Sequence, residues 1–115
     1  MEKAKALNPS HPTWYWASLF YAQYRNRDSQ GALEALRRID TPQVWWWHAQ
    51  VAMCYGQLGQ HERAEAELHE ALKLNPAFKD DPHRFLRMWV KSDEALQHEI
   101  DGLRKAGLAI PDKKR

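Results

Sequence analysis

Apolar residues recur along this chain at helical rather than strand spacing. Val44, His48, Val51, Ala52, Tyr55 and Leu58 follow the rhythm that keeps side chains on one helix face. Ala64, Leu68, Ala71 and Leu72 repeat it within 61–74. Polar punctuation divides these stretches. Residues 13–26 and 29–39 predict a first helix pair, with Asp28 placed to cap its second member. Thr41 and Pro42 suit the N-cap and first position of the next helix, and Gly59 stops it. Asn75-Pro76 ends the fourth, because a residue before proline avoids the α region. Asp81-Pro82 opens a helix expected to run to Lys91. Ser92 caps the last, with Asp93 and Glu94 in its first turn and Arg104 and Lys105 in its last, matching the helix dipole. Gly107-Leu108 has the form of a glycine C-cap with its apolar contact. No stretch sustains the alternation of a strand, so the expected class is all-α.

The helices also repeat. Pro9, Pro42 and Pro76 stand 33 and 34 residues apart, and "ALNP" at 6–9 is echoed by "KLNP" at 73–76. A 32-residue offset pairs Ala32 with Ala64, Leu36 with Leu68, Trp16 with His48 and Leu19 with Val51. The second unit reads His48-x2-Val51-Ala52-x2-Tyr55, Gly59, Ala64-x3-Leu68, Ala71, Pro76. This resembles the tetratricopeptide repeat, W-x2-L-G-x2-Y followed by A-x3-F and P. His48 departs from the usual tryptophan. The first unit, Trp16-x2-Leu19 then Ala32-x3-Leu36, carries Phe20 where a small residue is usual and Gln23 where tyrosine is usual. The resemblance implies a superhelix of antiparallel helix pairs forming a single domain. Its parts are a remnant of a preceding repeat at 1–9, repeats at 13–42 and 43–76, a closing pair at 81–108 and a tail at 109–115. In that closing pair either Pro82 or Phe85 takes the tryptophan position.

"KAKALNP" reads as the end of a repeat's second helix, so a C-terminal fragment of a longer protein is expected. The segment "SDEALQHEIDGLRKAGL" is similar to the closing helix of tetratricopeptide arrays in some bacterial regulatory proteins, including class III adenylate cyclases. The terminal "DKKR" reads as a frayed end.

Trp45, Trp46 and Trp47 are consecutive. On a helix they fan over about 200°, so they cannot share one face. By the resemblance, the first helix of each repeat lines a concave groove where peptides bind. Its register turns Trp14, Ala17, Tyr21, Tyr24 and Arg25 of the first repeat, and Trp46, Ala49, Met53 and Gln57 of the second, toward that groove. Trp45 and Trp47 flank the packing face of His48, Val51, Ala52 and Tyr55.

Composition narrows the function classes. Of 115 residues, 43% are hydrophobic and 28% charged, a balance that argues for a globular fold. A net charge of +2 provides no clustered basic face of the kind nucleic acid needs. Arg84, Arg87 and Lys91 read as a solvated stripe. The N-terminus lacks a signal-peptide run, and no segment approaches a membrane span. The lone Cys54 cannot form an internal disulfide, which favours a reducing, cytoplasmic setting. His61, Glu65 and His69 share a helix face, but the two histidines are about 12 Å apart along the axis, too far for one metal. No phosphate loop or nucleophile–base pattern stands out. Neither a metal nor a cofactor is expected, nor an enzyme.

The leading expectation is a non-enzymatic protein-interaction module within a regulatory protein, holding a peptide or partner domain along the aromatic groove. A structural spacer or homodimer with the aromatics self-packed is the alternative. A small-molecule site in the groove is a third reading, which requires an enclosed pocket.

Overall fold

The structure, a computed structural model, describes residues 13–39, 41 and 43–110. These are all-helical, with no strand: α1 (Thr13–Arg25), α2 (Ser29–Ile39), α3 (Trp45–Gln57), α4 (His61–Leu74), α5 (Ala77–Asp80), α6 (Pro82–Leu86) and α7 (Asp93–Lys105). The predicted remnant at 1–9, residues 111–115 of the predicted tail, and Pro42 lie outside the described residues. The chain divides into two compact units, Met1–Asp40 and Thr41–Arg115.

In the first unit α1 packs against α2. The turn between them uses Arg27 at φ 68, a left-handed conformation for a side-chain-bearing residue. The Asp28 N–H bonds back to the Gln23 carbonyl at 2.8 Å. The Asp28 carboxylate then accepts the Gly31 N–H at 2.9 Å, the cap expected from sequence. Phe20, Ala32, Leu33, Ala35 and Leu36 form the core. Phe20, which replaces the small residue of the repeat pattern, is fully buried with its ring stacked on Tyr24 at 5.7 Å.

In the second unit α3 packs against α4, and Ala52, Ala64, Leu68 and Ala71 are buried. Small residues let the two axes approach. His48 is buried, and its Nδ1 lies 2.6 Å from Oε1 of Glu67 on α4. The unusual histidine of the repeat pattern thus ties the pair together. α3 starts at Trp45, later than Thr41 and Pro42 predict. The Val44 N–H donates to the Thr41 carbonyl at 3.1 Å, and Val44 itself is extended, so a turn delays the helix. At the other end Gly59, at φ 79, lets the Gln60 N–H return to the Tyr55 carbonyl at 2.9 Å.

The segment after Pro76 departs most from expectation. α5 is a single turn that the pattern does not announce. α6 opens as predicted, with the Asp81 carboxylate accepting the Arg84 N–H at 3.3 Å, but stops at Leu86 instead of reaching Lys91. Met88 and Trp89 bond to the carbonyls three residues back, a tightening that ends the helix. Aromatic packing supplies the reason. Trp45 meets Phe78, Phe85 and Trp89 with ring centroids at 4.8, 5.4 and 5.9 Å.

α7 begins where Ser92 Oγ accepts the Ala95 N–H at 3.2 Å and closes through Gly107 at φ 111. Leu108 is buried, with its N–H on the Leu103 carbonyl at 3.0 Å. The helix packs along α3 and touches α4. It comes close at Gly56, where an added Cβ would stand 2.5 Å from the Gly102 carbonyl oxygen. No helix among the described residues is long and apolar enough to cross a membrane.

Candidate functional site

The nine residues assigned to a groove have different fates. On α1, Trp14 is 69% exposed and its neighbour Tyr15 38%, with their rings edge-on at 6.4 Å. Arg25 is exposed at the end of the helix. Ala17 and Tyr21 are half-buried, Tyr21 meeting Phe20 edge-on at 4.9 Å. Tyr24 corrects the expectation: it is buried and stacked on Phe20, so its ring belongs to the core of its own unit.

On α3, Trp46 is half-buried. Ala49 and Met53 are fully buried and offer no surface to a partner, which corrects their assignment to an open groove. They precede Gly56 by seven and three residues, so the three share a helix face. At Gly56 that face meets the α7 backbone. Gln57 is half-buried and also tied to α7. Its Nε2 donates to the His98 carbonyl at 3.3 Å, and its Oε1 accepts from Lys105 Nζ at 2.9 Å. Ala49, Met53 and Gly56 are buried together on α3, and α7 packs on that helix with its backbone against Gly56. Leu96, Ile100 and Leu103 on α7 are buried in turn.

The three tryptophans do diverge. Trp45 anchors the aromatic cluster, Trp47 stands edge-on to the His48 ring at 5.1 Å, and Trp46 is half-buried.

Two polar features were not anticipated. The first is Glu99, which occupies the apolar face of α7: Leu96, Glu99, Ile100 and Leu103 follow i, i+3, i+4, i+7. It is 2% exposed, and its Oε1 accepts the Trp89 indole N–H at 3.2 Å. Burial pushes its pKa up to about 8, against a smaller opposing pull from that hydrogen bond. A glutamate within an apolar stripe was the available signal. The second is a cavity of about 230 Å³ edged by His83, Arg87, Asp93 and Arg104. Its guanidinium groups brace the fold. Arg87 bonds the Lys91 carbonyl at 2.8 Å and pairs with Asp93, while Arg104 bonds the Ile110 carbonyl through two nitrogens at 2.9 and 2.6 Å.

Cys54 is fully buried, and its thiol is pushed to a higher pKa by burial and by nearby Glu99, the reverse of nucleophile activation. Among the described residues no group of histidine, cysteine and carboxylate side chains is placed to hold a metal.

No family model, curated protein or solved structure matches this chain. Surface and packing therefore carry the functional reading.

Proposed function

We propose that this chain is a non-enzymatic protein-interaction module built from tetratricopeptide-like helix pairs, acting in the cytoplasm as part of a regulatory protein. The observation that carries the reading is the exposure of Trp14, 69%, beside Tyr15 on one helix. Large aromatic side chains supply contact area with a polar handle and dominate interface energetics. The expected occupant is a peptide segment of another protein, with an apolar side chain set against the Trp14 ring. Arg25, exposed on the same helix, provides a donor for a carboxylate on that segment.

The test is selection of short peptides from a random display library on the intact chain, followed by titration against Trp14→Ala. A hot spot of about 2 kcal/mol corresponds to roughly thirtyfold weaker binding. Circular dichroism should show Trp14→Ala as helical as the wild type. Peptides that bind both proteins equally would refute the reading. The second reading, self-association, draws on the same exposed rings. A dimer in sedimentation at micromolar concentration that Trp14→Ala dissolves would favour it.

A further inference from the structure

We propose that docking of α7 on α3 is proton-controlled: Glu99 enters the interface as the neutral acid, and loss of its proton releases α7 and uncovers the Ala49–Met53–Gly56 face. The geometry points this way before any titration is considered. The Glu99 carboxyl is shut in at the packing face of α7, at 2% exposure. It receives a single hydrogen bond, from the Trp89 indole, and forms no ion pair among the described residues. A carboxylate there is short of donors, because an ionised group needs several hydrogen bonds or a countercharge to replace its water. The neutral acid suits the same site, since one N–H donor satisfies one of its oxygens.

Among the described residues no cation is paired with Glu99. From α3 the titratable group facing Glu99 is the Cys54 thiol, whose ionisation Glu99 opposes. From the turn after α6 it is the Trp89 indole, while Arg87 nearby is paired with Asp93 and His83 lines the cavity. α4 contributes His61, whose Nδ1–H donates to the Lys105 carbonyl at 3.1 Å, and Glu65, near Gly107. On α7 itself His98 is engaged with Gln57, Lys105 with Asp101 and Gln57, and Arg104 with the Ile110 carbonyl.

The direction of the coupling follows. The docked group holds its proton to about pH 8, whereas a solvated glutamate loses it near 4.5. Docking is therefore complete below the lower value and weakens as pH rises between the two, by about tenfold per pH unit, levelling off above the higher value. The contact also contains close helix approach at Gly56, so it should open as a unit rather than loosen gradually. This inference concerns the chain's own helix and stands whether or not a peptide binds Trp14.

The experiment is hydrogen exchange on the full chain from pH 5 to 9, corrected for the intrinsic pH dependence of exchange, in the wild type and in Glu99→Gln. Glutamine keeps the shape of the neutral acid and an acceptor for Trp89. The expected result is a wild-type loss of protection in α7 of about tenfold per unit from pH 5 to 8, with α3 and α4 retaining theirs. Glu99→Gln should be flat over that range. If Glu99→Gln fails to fold, Trp89→Phe serves instead: it removes the bond that favours the charged form, so levelling off should move to higher pH. A flat wild-type profile overturns the proposal. So does an equal decline in Glu99→Gln, which would assign the effect to the histidines. Loss of protection in α3 and α4 in step with α7 also overturns it, because the unit would then be unfolding as a whole.

Discussion

Gly56→Ala should destabilise the second unit, although alanine is the better helix former. In an exposed helix interior the exchange favours alanine by about 1 kcal/mol. At Gly56 the new methyl would meet the Gly102 carbonyl oxygen at 2.5 Å, with Ala106 N and Lys105 Cβ each at 3.2 Å. Ordinary contact begins at 3.4 Å, so α7 would have to retreat by about 0.9 Å. The nearest atom is backbone within a helix and cannot rotate away. Overpacking of this kind costs about 1–3 kcal/mol, and retreat also thins the contacts of Leu96, Ile100 and Leu103. Set against the propensity gain of about 1 kcal/mol, this leaves a net loss of up to about 2 kcal/mol.

Two assays read this. Guanidinium denaturation gives the free energy, and a loss of that size lowers the melting temperature by about 4–8 °C per kcal/mol. Cys54, the single cysteine of the chain, is buried on α3, so its labelling by a thiol reagent reports opening of this unit alone. Gly56→Ala should label faster than the wild type under native conditions. Gly59→Ala is the contrast. Its φ of 79 imposes backbone strain of about 1 kcal/mol, but nothing lies within 4 Å of the added methyl, so α7 stays docked. An unchanged or raised stability for Gly56→Ala would mean that α7 does not lie on α3 as described.

Trp45→Ala should cost about 3 kcal/mol, since it empties the centre of a four-ring cluster, whereas Trp46→Ala should cost about 1 kcal/mol or less; thermal denaturation of the pair checks the ranking. Ser92→Ala removes the α7 cap and should lose about 1 kcal/mol, measured by denaturant midpoint. Glu67→Ala leaves buried His48 without its carboxylate partner and should lose about 1–2 kcal/mol by the same measure. The stability advantage of Glu99→Gln over the wild type should be larger at pH 8 than at pH 5 by about 3 kcal/mol, because a carboxyl whose folded-state pKa is raised loses its stabilising contribution as pH climbs from 4.5 toward 8. An advantage that does not grow with pH would refute this.

Helix ends were legible at Asp28, Ser92, Gly59 and Gly107, where one residue carries the capping chemistry, but not at Thr41, whose helix begins only at Trp45. Asp28 and Ser92 each bond the backbone three residues on, and Gly59 and Gly107 adopt positive φ. The ends that escaped depend on distant partners. Nothing local at 87–91 indicates that Trp89 must turn in to reach Trp45 and Glu99, and this is what shortens α6. The site followed the same division. Helical arithmetic correctly separates Trp45, Trp46 and Trp47 and groups Ala49, Met53 and Gly56. It says nothing of what lies against that group, because burial of a stripe is a property of the pair of surfaces. The complementary signal was present but nonlocal: a second glycine, Gly102, on an amphipathic helix some 46 residues further on.

This pairing moves the proposed recognition surface from one helix to another. In α3 nearly every residue from His48 to Gly56 is buried, Tyr55 being half-buried. A helix apolar all round is an interior helix. With α4 against one side and α7 against another, its small residues Ala49, Ala52 and Gly56 are buried within the unit. A binding role for that stripe requires α7 to leave, and the group that makes leaving conditional is the acid at its centre. α1 is under no such constraint. Trp14 projects without covering from its own unit. The two surfaces are therefore separable by experiment: Trp14→Ala should weaken peptide binding about thirtyfold at any pH, whereas binding that appears only at alkaline pH and is lost in Glu99→Gln would belong to α3.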